Sequence, residues 1–250
     1  MSRRVALTLS ACACAALLLP ACESTQSKSK RLAGEGRTAF AEKGLQVTKR
    51  STSVDMGKTS VLADANGSAV VVEVENESAR SLTNVPIAVD VRDKAGKSVY
   101  RNDTPGLEPS LTSIPVLGPH ESFAWVNDQV AATATGAAGR ARAEIGVQKS
   151  AAAPAAIPAT RVGKARLVDD PVSGVEATGY VFNDSKTVEQ RNIFVYCVAR
   201  RGGHVVAAGR SRIERIKPGR RGRYHVYFIG NPRGAKLELK APPTVLKPET

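Results

Sequence analysis

The sequence contains few aromatic, cysteine and histidine residues. Aromatic side chains make up 4% of the 250 residues, so aliphatic side chains, chiefly those of valine, isoleucine and leucine, must fill any core. Four cysteines and three histidines, scattered along the chain, are too few for a metal cage or a disulfide framework. A composition of 42% hydrophobic and 24% charged residues is ordinary for a globular protein and argues against full disorder.

The sequence also lacks catalytic and nucleotide-binding motifs. Met56-Gly57-Lys58-Thr59 resembles the end of a phosphate-binding loop, but Thr52 stands where that loop needs its first glycine. Asp169-Asp170 precede a proline, a pattern more typical of a turn than of paired catalytic carboxylates. We therefore predict that the protein is not an enzyme and needs no cofactor.

A blue-copper site is an alternative interpretation of three residues, and we do not predict one. Cys197, His204 and His225 supply the ligand types of such a site, but no methionine follows Cys197 at a suitable spacing. Cys197 instead alternates with Ile193 and Val195 along an apolar run, which predicts a small buried core residue and no metal.

The N-terminal residues have the pattern of a secretory signal. Arg3-Arg4 are followed by an apolar run from Val5 to Leu19, which is too short to span a membrane comfortably. Leu19-Pro20-Ala21-Cys22 resembles the lipobox of bacterial lipoproteins. That resemblance implies removal of residues 1–21, lipidation of Cys22, and an exported protein anchored to the outer face of the cytoplasmic membrane or to another envelope membrane. Two acyl chains would anchor it stably.

Two stretches without hydrophobic periodicity divide the rest of the chain. Residues 22–43 are polar and predict a flexible tether, and the alanine- and proline-rich residues 150–160 predict a linker. Two longer segments remain, residues 44–149 and residues 161–250.

The two longer segments look like copies of each other. Each contains short runs of alternating apolar residues, separated by turns rich in asparagine, aspartate, glycine and proline. This pattern is typical of an antiparallel β-sandwich. We therefore predict an all-β protein with two tandem immunoglobulin-like β-sandwiches.

The turns of both segments resemble those of the FxLYD-type immunoglobulin-like domain of bacterial envelope proteins. The resemblance is carried by Asn84-Val85, Val89–Lys97 and Leu117-Gly118-Pro119 in the first segment, and by Asn192-Ile193 and Lys217-Pro218-Gly219 in the second. The aromatic pair that names the family is absent from both segments. The resemblance implies an accessory or binding module at the cell surface and supplies no catalytic residues.

Positive charge is concentrated in the second segment. Residues 44–149 carry eleven bases and twelve acids, whereas residues 161–250 carry eighteen bases and eight acids. Arg210 and Arg212 are two residues apart on a predicted strand, so their side chains should share a face. The forked donors of arginine match phosphates and carboxylates.

Two predicted strands of the second segment carry apolar side chains on both faces. Phe194, Tyr196 and Val198 lie on the face opposite Cys197, and His225, Tyr227 and Ile229 face outward if Tyr224, Val226 and Phe228 face the core. An apolar outer face should be covered. The first segment, a second subunit or a binding partner could cover it, or the strand could be buried on both faces.

These features together predict a non-enzymatic envelope lipoprotein whose second segment binds an anionic wall polymer or an acidic protein. Its membrane contact is the lipid on Cys22, and nucleic acid is not the expected partner because an exported protein rarely meets it. The predicted binding residues are Phe194, Tyr196, Arg210, Arg212, Arg220, Arg221, Arg223, His225 and Tyr227. A carrier that holds a small anionic ligand between the segments, near Arg210 and Arg212, is one alternative, and an accessory subunit of an envelope complex is another.

The lipidation prediction is tested by metabolic labelling with palmitate in a bacterial host. We expect Cys22→Ala to lose the label completely, because that thiol is the predicted site of acylation. Cys12→Ala is the matched control and should keep the label, because the apolar run before Cys12 is too short for export. Persistent label in Cys22→Ala would reject the anchor.

Overall fold

The structure, a computed structural model, describes residues 44, 46–130, 139–147, 153–154, 156–170 and 174–248. These residues form fifteen β-strands and one short 3-10 helix, Pro109–Leu111, so the predicted all-β class is confirmed. The signal at 1–21, the whole tether at 22–43 with Cys22, and residues 150–152 and 155 of the linker lie outside the described residues, and those predictions stay predictions. No helix in the described part of the chain is long and apolar enough to cross a membrane.

The first segment folds into two antiparallel sheets. Sheet A has the strand order β1-β2-β6, and in sheet B strand β3 pairs with β4 and β5 along one edge and with β7 along the other. The strands are β1 (Val54–Asp64), β2 (Gly67–Asn76), β3 (Leu82–Arg92), β4 (Ser98–Arg101), β5 (Ser113–Leu117), β6 (Ser122–Val130) and β7 (Arg140–Ile145).

The second segment repeats this arrangement with one more strand. In sheet C strand β10 pairs with β13 on one side and with β8 and β9 on the other, and sheet D has the order β14-β12-β11-β15. The strands are β8 (Thr160–Val162), β9 (Arg166–Asp170), β10 (Gly174–Asn183), β11 (Gln190–Arg201), β12 (His204–Ile216), β13 (Arg221–Tyr227), β14 (Ile229–Gly230) and β15 (Lys236–Lys240).

The corresponding turns of the two segments are held by the same hydrogen bonds. Asn76 donates its side-chain N–H groups to backbone carbonyls, among them that of Leu117 at 3.2 Å, and its Oδ1 accepts from the backbone N–H of Ser78 at 3.0 Å. Asn183 likewise donates to the carbonyl of Ile216 at 3.0 Å and accepts from Ser185. A buried asparagine therefore ties each turn to the strand before the proline corner, which satisfies buried backbone groups on both sides.

Apolar side chains form two clusters, but the clusters do not coincide with the two segments. One cluster lies between sheets C and D and contains Cys197, Val195 and Tyr224. The other joins sheets A and B, as expected for a β-sandwich, but it also includes Phe194, Tyr196 and Val198 of strand β11. All described residues belong to one compact unit. Strand β11 is therefore buried on both faces, which explains its continuous apolar run.

The predicted alternation of strand β13 is correct up to its last residue. Tyr224, Val226 and Phe228 are buried, and His225 and Tyr227 are exposed. The prediction that Ile229 faces outward is wrong, because the chain leaves β13 after Tyr227 and Ile229 pairs with Ala208 of β12. Ile229 is accordingly buried.

Cys197 is a free, fully buried cysteine, as the alternation of strand β11 predicted. Burial raises the pKa of the Cys197 thiol to about 12, because the low-dielectric core disfavours the thiolate.

We expect Cys197 to resist alkylation in the folded protein, since the thiolate is the reactive form and almost none is present at pH 8. Iodoacetamide treatment followed by peptide mapping measures the modification of Cys197 directly. Modification should become complete in guanidinium, where the thiol regains an ordinary pKa. Rapid labelling of the native protein would contradict the core position.

Candidate functional site

The predicted binding residues lie on two different sheet faces. Strand register places Phe194 opposite Arg212 and Tyr196 opposite Arg210, so these four side chains share one face of sheet D. Strand β13 instead carries Arg221, Arg223, His225 and Tyr227 on the outer face of sheet C, and Arg220 immediately precedes that strand. The sequence correctly predicted which of these residues share a face of their own strand. It did not show that the two groups lie on different sheets.

The face of sheet D that carries Phe194, Tyr196 and Arg210 is covered by the first segment. All three residues are buried, and the ring of Phe123 of β6 meets the ring of Tyr196 edge to face at 5.1 Å between centroids. These three residues therefore lie in an internal interface and cannot present a binding surface to a partner. The sequence left open what covers this apolar face. The structure shows that the first segment covers it.

Arg210 is the centre of this interface. Its side chain is 2% exposed, and its Nε donates to Oδ1 of Asp128 at 2.7 Å, while its backbone N–H donates to Oδ2 of the same carboxylate at 3.0 Å. Nη1 donates to the hydroxyl of Ser110 at 2.5 Å, and Nη2 lies 3.4 Å from Glu108. The guanidinium also lies 5.0 Å from the ring centroid of Phe194. A buried cation needs such partners, because an unpaired charge in the interior is strongly destabilising.

The hydroxyl of Tyr196 lies close to this network but hydrogen-bonds to none of it. It is buried and has no hydrogen-bond partner among the described residues. Burial raises the pKa of Tyr196 strongly, and the nearby Arg210 only partly offsets that effect. The tyrosine therefore stays neutral and acts as an apolar packing group.

A groove of about 580 Å³ runs along the boundary between the segments. Its walls come from both segments and include Glu108, Pro109, Phe194 and Arg212. Arg212 is half exposed and lies 3.8 Å from Glu108 and 3.9 Å from Glu214, so its charge is loosely compensated. Of the two arginines predicted to line such a cleft, only Arg212 reaches the groove.

The outer face of sheet C is open and carries arginine and aromatic side chains. Cross-strand pairs place Tyr180 opposite Arg223 and Phe182 opposite Arg221. Directly opposed residues of antiparallel strands share a face. We call this surface the basic face; its side chains are Arg161, Arg166, Tyr180, Phe182, Arg221, Arg223, His225 and Tyr227, drawn from strands β8, β9, β10 and β13.

Two guanidinium groups of the basic face are stacked on aromatic rings. The guanidinium carbon of Arg221 lies 4.2 Å from the centroid of the Tyr180 ring, and that of Arg161 lies 4.2 Å from the centroid of Phe182. Arginine over an aromatic face is attracted by the ring quadrupole. The rings therefore hold these cations close to the sheet and limit their side-chain freedom.

The arginines of the second segment differ among themselves in how their charge is compensated. Arg210 and Arg215 are paired with Asp128 and Glu189, and Arg200 bridges two glutamates. By contrast, four arginines make no ion pair with a residue that the structure describes. They are Arg166, Arg220, Arg221 and Arg223. Three of these four unpaired arginines therefore lie on the outer face of sheet C, and the fourth, Arg220, directly precedes strand β13.

The acids of the basic face lie mostly at its margins or beneath it. Asp184 is 3.4 Å from Arg161 at one end, and Asp170 faces Gly174 at the other. The carboxylate of Glu176 is largely buried beneath the ring of His225, whose Nδ1 lies 3.0 Å from Oε2. Arg221 and Arg223 therefore lie in the part of the face where no carboxylate of a described residue opposes them.

The core beneath the basic face is filled by Tyr224. A Cβ built on Gly179 would lie 2.5 Å from the Tyr224 hydroxyl, so glycine is required where the Tyr224 side chain packs against strand β10. The hydroxyl has no hydrogen-bond partner in the described part of the chain, and burial raises the pKa of Tyr224 to about 12. A neutral, rigid ring therefore supports the charged surface from below.

Sequence reasoning missed half of the basic face. Tyr180, Phe182, Arg161 and Arg166 were not predicted as binding residues, although Glu176, Thr178, Tyr180 and Phe182 alternate along β10 in the same way as the residues of β13. That alternation was the available signal. The neighbouring strand β8 has only three residues, too few for a period-2 pattern.

The described residues contain no group of three or more histidine, cysteine, aspartate or glutamate side chains that could hold a metal ion. Cys197 lies in the core, whereas His225 faces outward on the other sheet. Cys197 and His225, two of the three residues considered as blue-copper ligands, therefore lie apart in the structure.

Removal of the Asp128 carboxylate tests the interface. We expect Asp128→Ala to lower the free energy of unfolding by about 3–5 kcal/mol, because it leaves the Arg210 cation buried with its shortest ion pair removed. Urea unfolding measures this change. Glu214→Ala is the control and should leave stability nearly unchanged, since Glu214 is exposed and 3.9 Å from Arg212. Equal effects of the two substitutions would contradict the central role of Arg210.

Comparisons with known proteins do not assign this surface. No protein-family model matches the chain, and a search of curated proteins gives no match. The resemblance to FxLYD-type domains and to bacterial lipoproteins stays a prediction from the sequence. The chemistry of the basic face is therefore the basis on which a function is proposed.

Proposed function

We propose that this protein is a non-enzymatic lipoprotein of the cell envelope that binds an anionic wall polymer through the basic face. In this proposal both segments are immunoglobulin-like sandwiches, and Cys22 carries the lipid anchor. The observation that carries the proposal is the absence of carboxylate partners, among the described residues, for Arg166, Arg220, Arg221 and Arg223. Exposed arginines left without internal partners are free to bind external anions.

The shape of the surface favours an extended ligand. The basic face is the outer side of a sheet that spans four strands, and its side chains lie on β8, β9, β10 and β13. A small ligand needs a concave pocket that surrounds most of its surface. A polymer, in contrast, can contact several arginines of an open sheet at once.

The expected position of the protein favours a wall component over membrane lipid. If residues 22–43 form a random coil, their reach is about 25 Å. Exposed charges are screened beyond about 8 Å at physiological salt. The basic face would then lie outside the field of the membrane that holds the lipid, so a wall polymer or an acidic protein is the better ligand, and of these we propose the polymer.

The first segment supports the second in this proposal. It covers Phe194 and Tyr196 and supplies Asp128, Ser110 and Glu108 to Arg210. It therefore acts as a scaffold. The accessory-subunit alternative would need the apolar surface around Phe194 and Tyr196 to be uncovered, and in this structure that surface is covered.

A ligand carrier is the second candidate, and the groove between the segments favours it. Its volume of about 580 Å³ is within the range of small-molecule sites, and Arg212 lies on its wall. A small anion held there would depend on Arg212 and not on Arg221 or Arg223. Arg212→Gln therefore distinguishes the carrier from the polymer-binding function.

The polymer-binding proposal is tested with purified anionic wall polymer and the full-length protein. We expect Arg221→Gln/Arg223→Gln to weaken binding by about tenfold, since exposed ionic contacts contribute about 0.2–1 kcal/mol each and 1.4 kcal/mol corresponds to tenfold. Arg212→Gln/Arg215→Gln removes the same charge, but from arginines that are already paired, and is the matched control. Isothermal titration calorimetry measures both affinities.

The salt dependence gives a second readout of the same proposal. Binding should weaken steeply from about 50 to 500 mM salt, because the polymer releases condensed counterions when arginines neutralise it. Binding that does not change over this range, or an equal loss of affinity in the control variant, would reject the basic face as the binding surface.

A further inference from the structure

We propose that the polymer recognised by the basic face is a phosphate polymer, bound through its phosphate groups and without stacking of ligand rings on Tyr180 or Phe182. This inference rests on the proposed function and names the ligand class of the same surface. The geometry of the stacked arginines carries it.

Two aromatic rings of the basic face, those of Tyr180 and Phe182, each have a guanidinium over them. Tyr180 holds the guanidinium of Arg221, and Phe182 holds that of Arg161, each at 4.2 Å. A base or a sugar that stacked on either covered ring surface would have to displace an attached cation. The rings therefore serve to position arginines, and a ligand meets guanidinium groups where it would otherwise meet open aromatic faces.

A guanidinium carries its N–H donors around its edge, so a ring attracted to the cation does not use those donors. Those donors lie in the guanidinium plane and form a fork that matches the oxygens of an anion. Arg221 makes no ion pair with a described residue, so its donors are available to a ligand. Nε of Arg223 makes one long hydrogen bond of 3.4 Å to the Thr178 hydroxyl, and this arginine also has no carboxylate partner among the described residues.

The spacing of Arg221 and Arg223 suits a phosphate group. The two residues are separated by one position on β13, so their Cα atoms are about 7 Å apart and both side chains lie on the same side of the sheet. A phosphate directs its oxygens toward the corners of a tetrahedron, so one group can accept from two guanidiniums in different orientations. The two oxygens of a carboxylate lie in one plane, which a single guanidinium matches.

The arginine composition of the face supports the same ligand class. All four cationic side chains within the face are arginines: Arg161, Arg166, Arg221 and Arg223. Lysine would offer a point charge without directional preference. A surface built from arginines alone therefore selects for the geometry of the anion as well as for its charge.

Three polymers of matched charge test the inference with the full-length protein: linear inorganic polyphosphate, oligothymidylate and poly-L-glutamate. Fluorescence anisotropy with labelled polyphosphate as the probe measures its affinity, and competition measures the other two. We expect polyphosphate to bind at least as tightly as oligothymidylate and about tenfold more tightly than poly-L-glutamate, since bidentate recognition by two arginines adds to the charge attraction.

The variants Tyr180→Leu and Tyr180→Phe test whether the ring that holds Arg221 matters for binding. Tyr180→Leu removes the ring beneath Arg221 and should weaken polyphosphate binding severalfold, although polyphosphate has no rings of its own. Tyr180→Phe keeps the ring and should leave polyphosphate binding unchanged. Thermal unfolding of both variants shows whether the fold is intact.

The outcomes separate this inference from the proposed function. Oligothymidylate binding tenfold more tightly than polyphosphate, or poly-L-glutamate binding equally well, would overturn the phosphate assignment and leave the basic face as a polyanion site. Unchanged polyphosphate binding by folded Tyr180→Leu would overturn the role of the stacked rings. Failure of all three polymers to bind at low salt would overturn the proposed function itself.

Discussion

The buried ion pair between Arg210 and Asp128 is the interaction on which the arrangement of the two segments depends. It lies where strand β12 of sheet D meets strand β6 of sheet A, and the first segment supplies every carboxylate within reach of the guanidinium. A buried charge tolerates little displacement of its partners, because the loss of one contact leaves the cation without compensation. The pair therefore fixes how the segments meet, and apolar contacts such as that of Phe123 with Tyr196 join the same two sheets.

The distribution of internal ion pairs determines which surface is available to a partner. Arg200, Arg210 and Arg215 are each compensated within the chain, and Lys240 pairs with Glu121 across the two segments. The net charge of +13 is therefore a poor guide to the surface by itself. Arg221, which has no ion pair with a described residue, is held over the ring of Tyr180, and this combination distinguishes the outer face of sheet C from the rest of the described surface.

Sequence periodicity predicted the strands better than it predicted their surroundings. Alternation placed Cys197 and Tyr224 in the core and His225 and Tyr227 outside, because side chains of a strand point to opposite faces with a period of two. It could not show that the first segment covers Phe194 and Tyr196, since a periodic pattern indicates that a face is apolar but not what lies against it. It also failed at Ile229, where a local change of partner strand interrupts the alternation. The acids that neutralise Arg210 lie 82 and 102 residues away in the sequence, and no local pattern links them to it.

The break between strands β4 and β5 makes the two halves of the repeat unequal. In the second segment, β12 runs as one continuous strand along β11, whereas in the first the corresponding edge of β3 is shared by two short strands with a connection between them. Glu108 and Ser110, both within that connection, reach across to the neighbouring half. A molecule built from two copies of the second half would have no such connection to offer, so the contacts of Arg210 require one half of each kind.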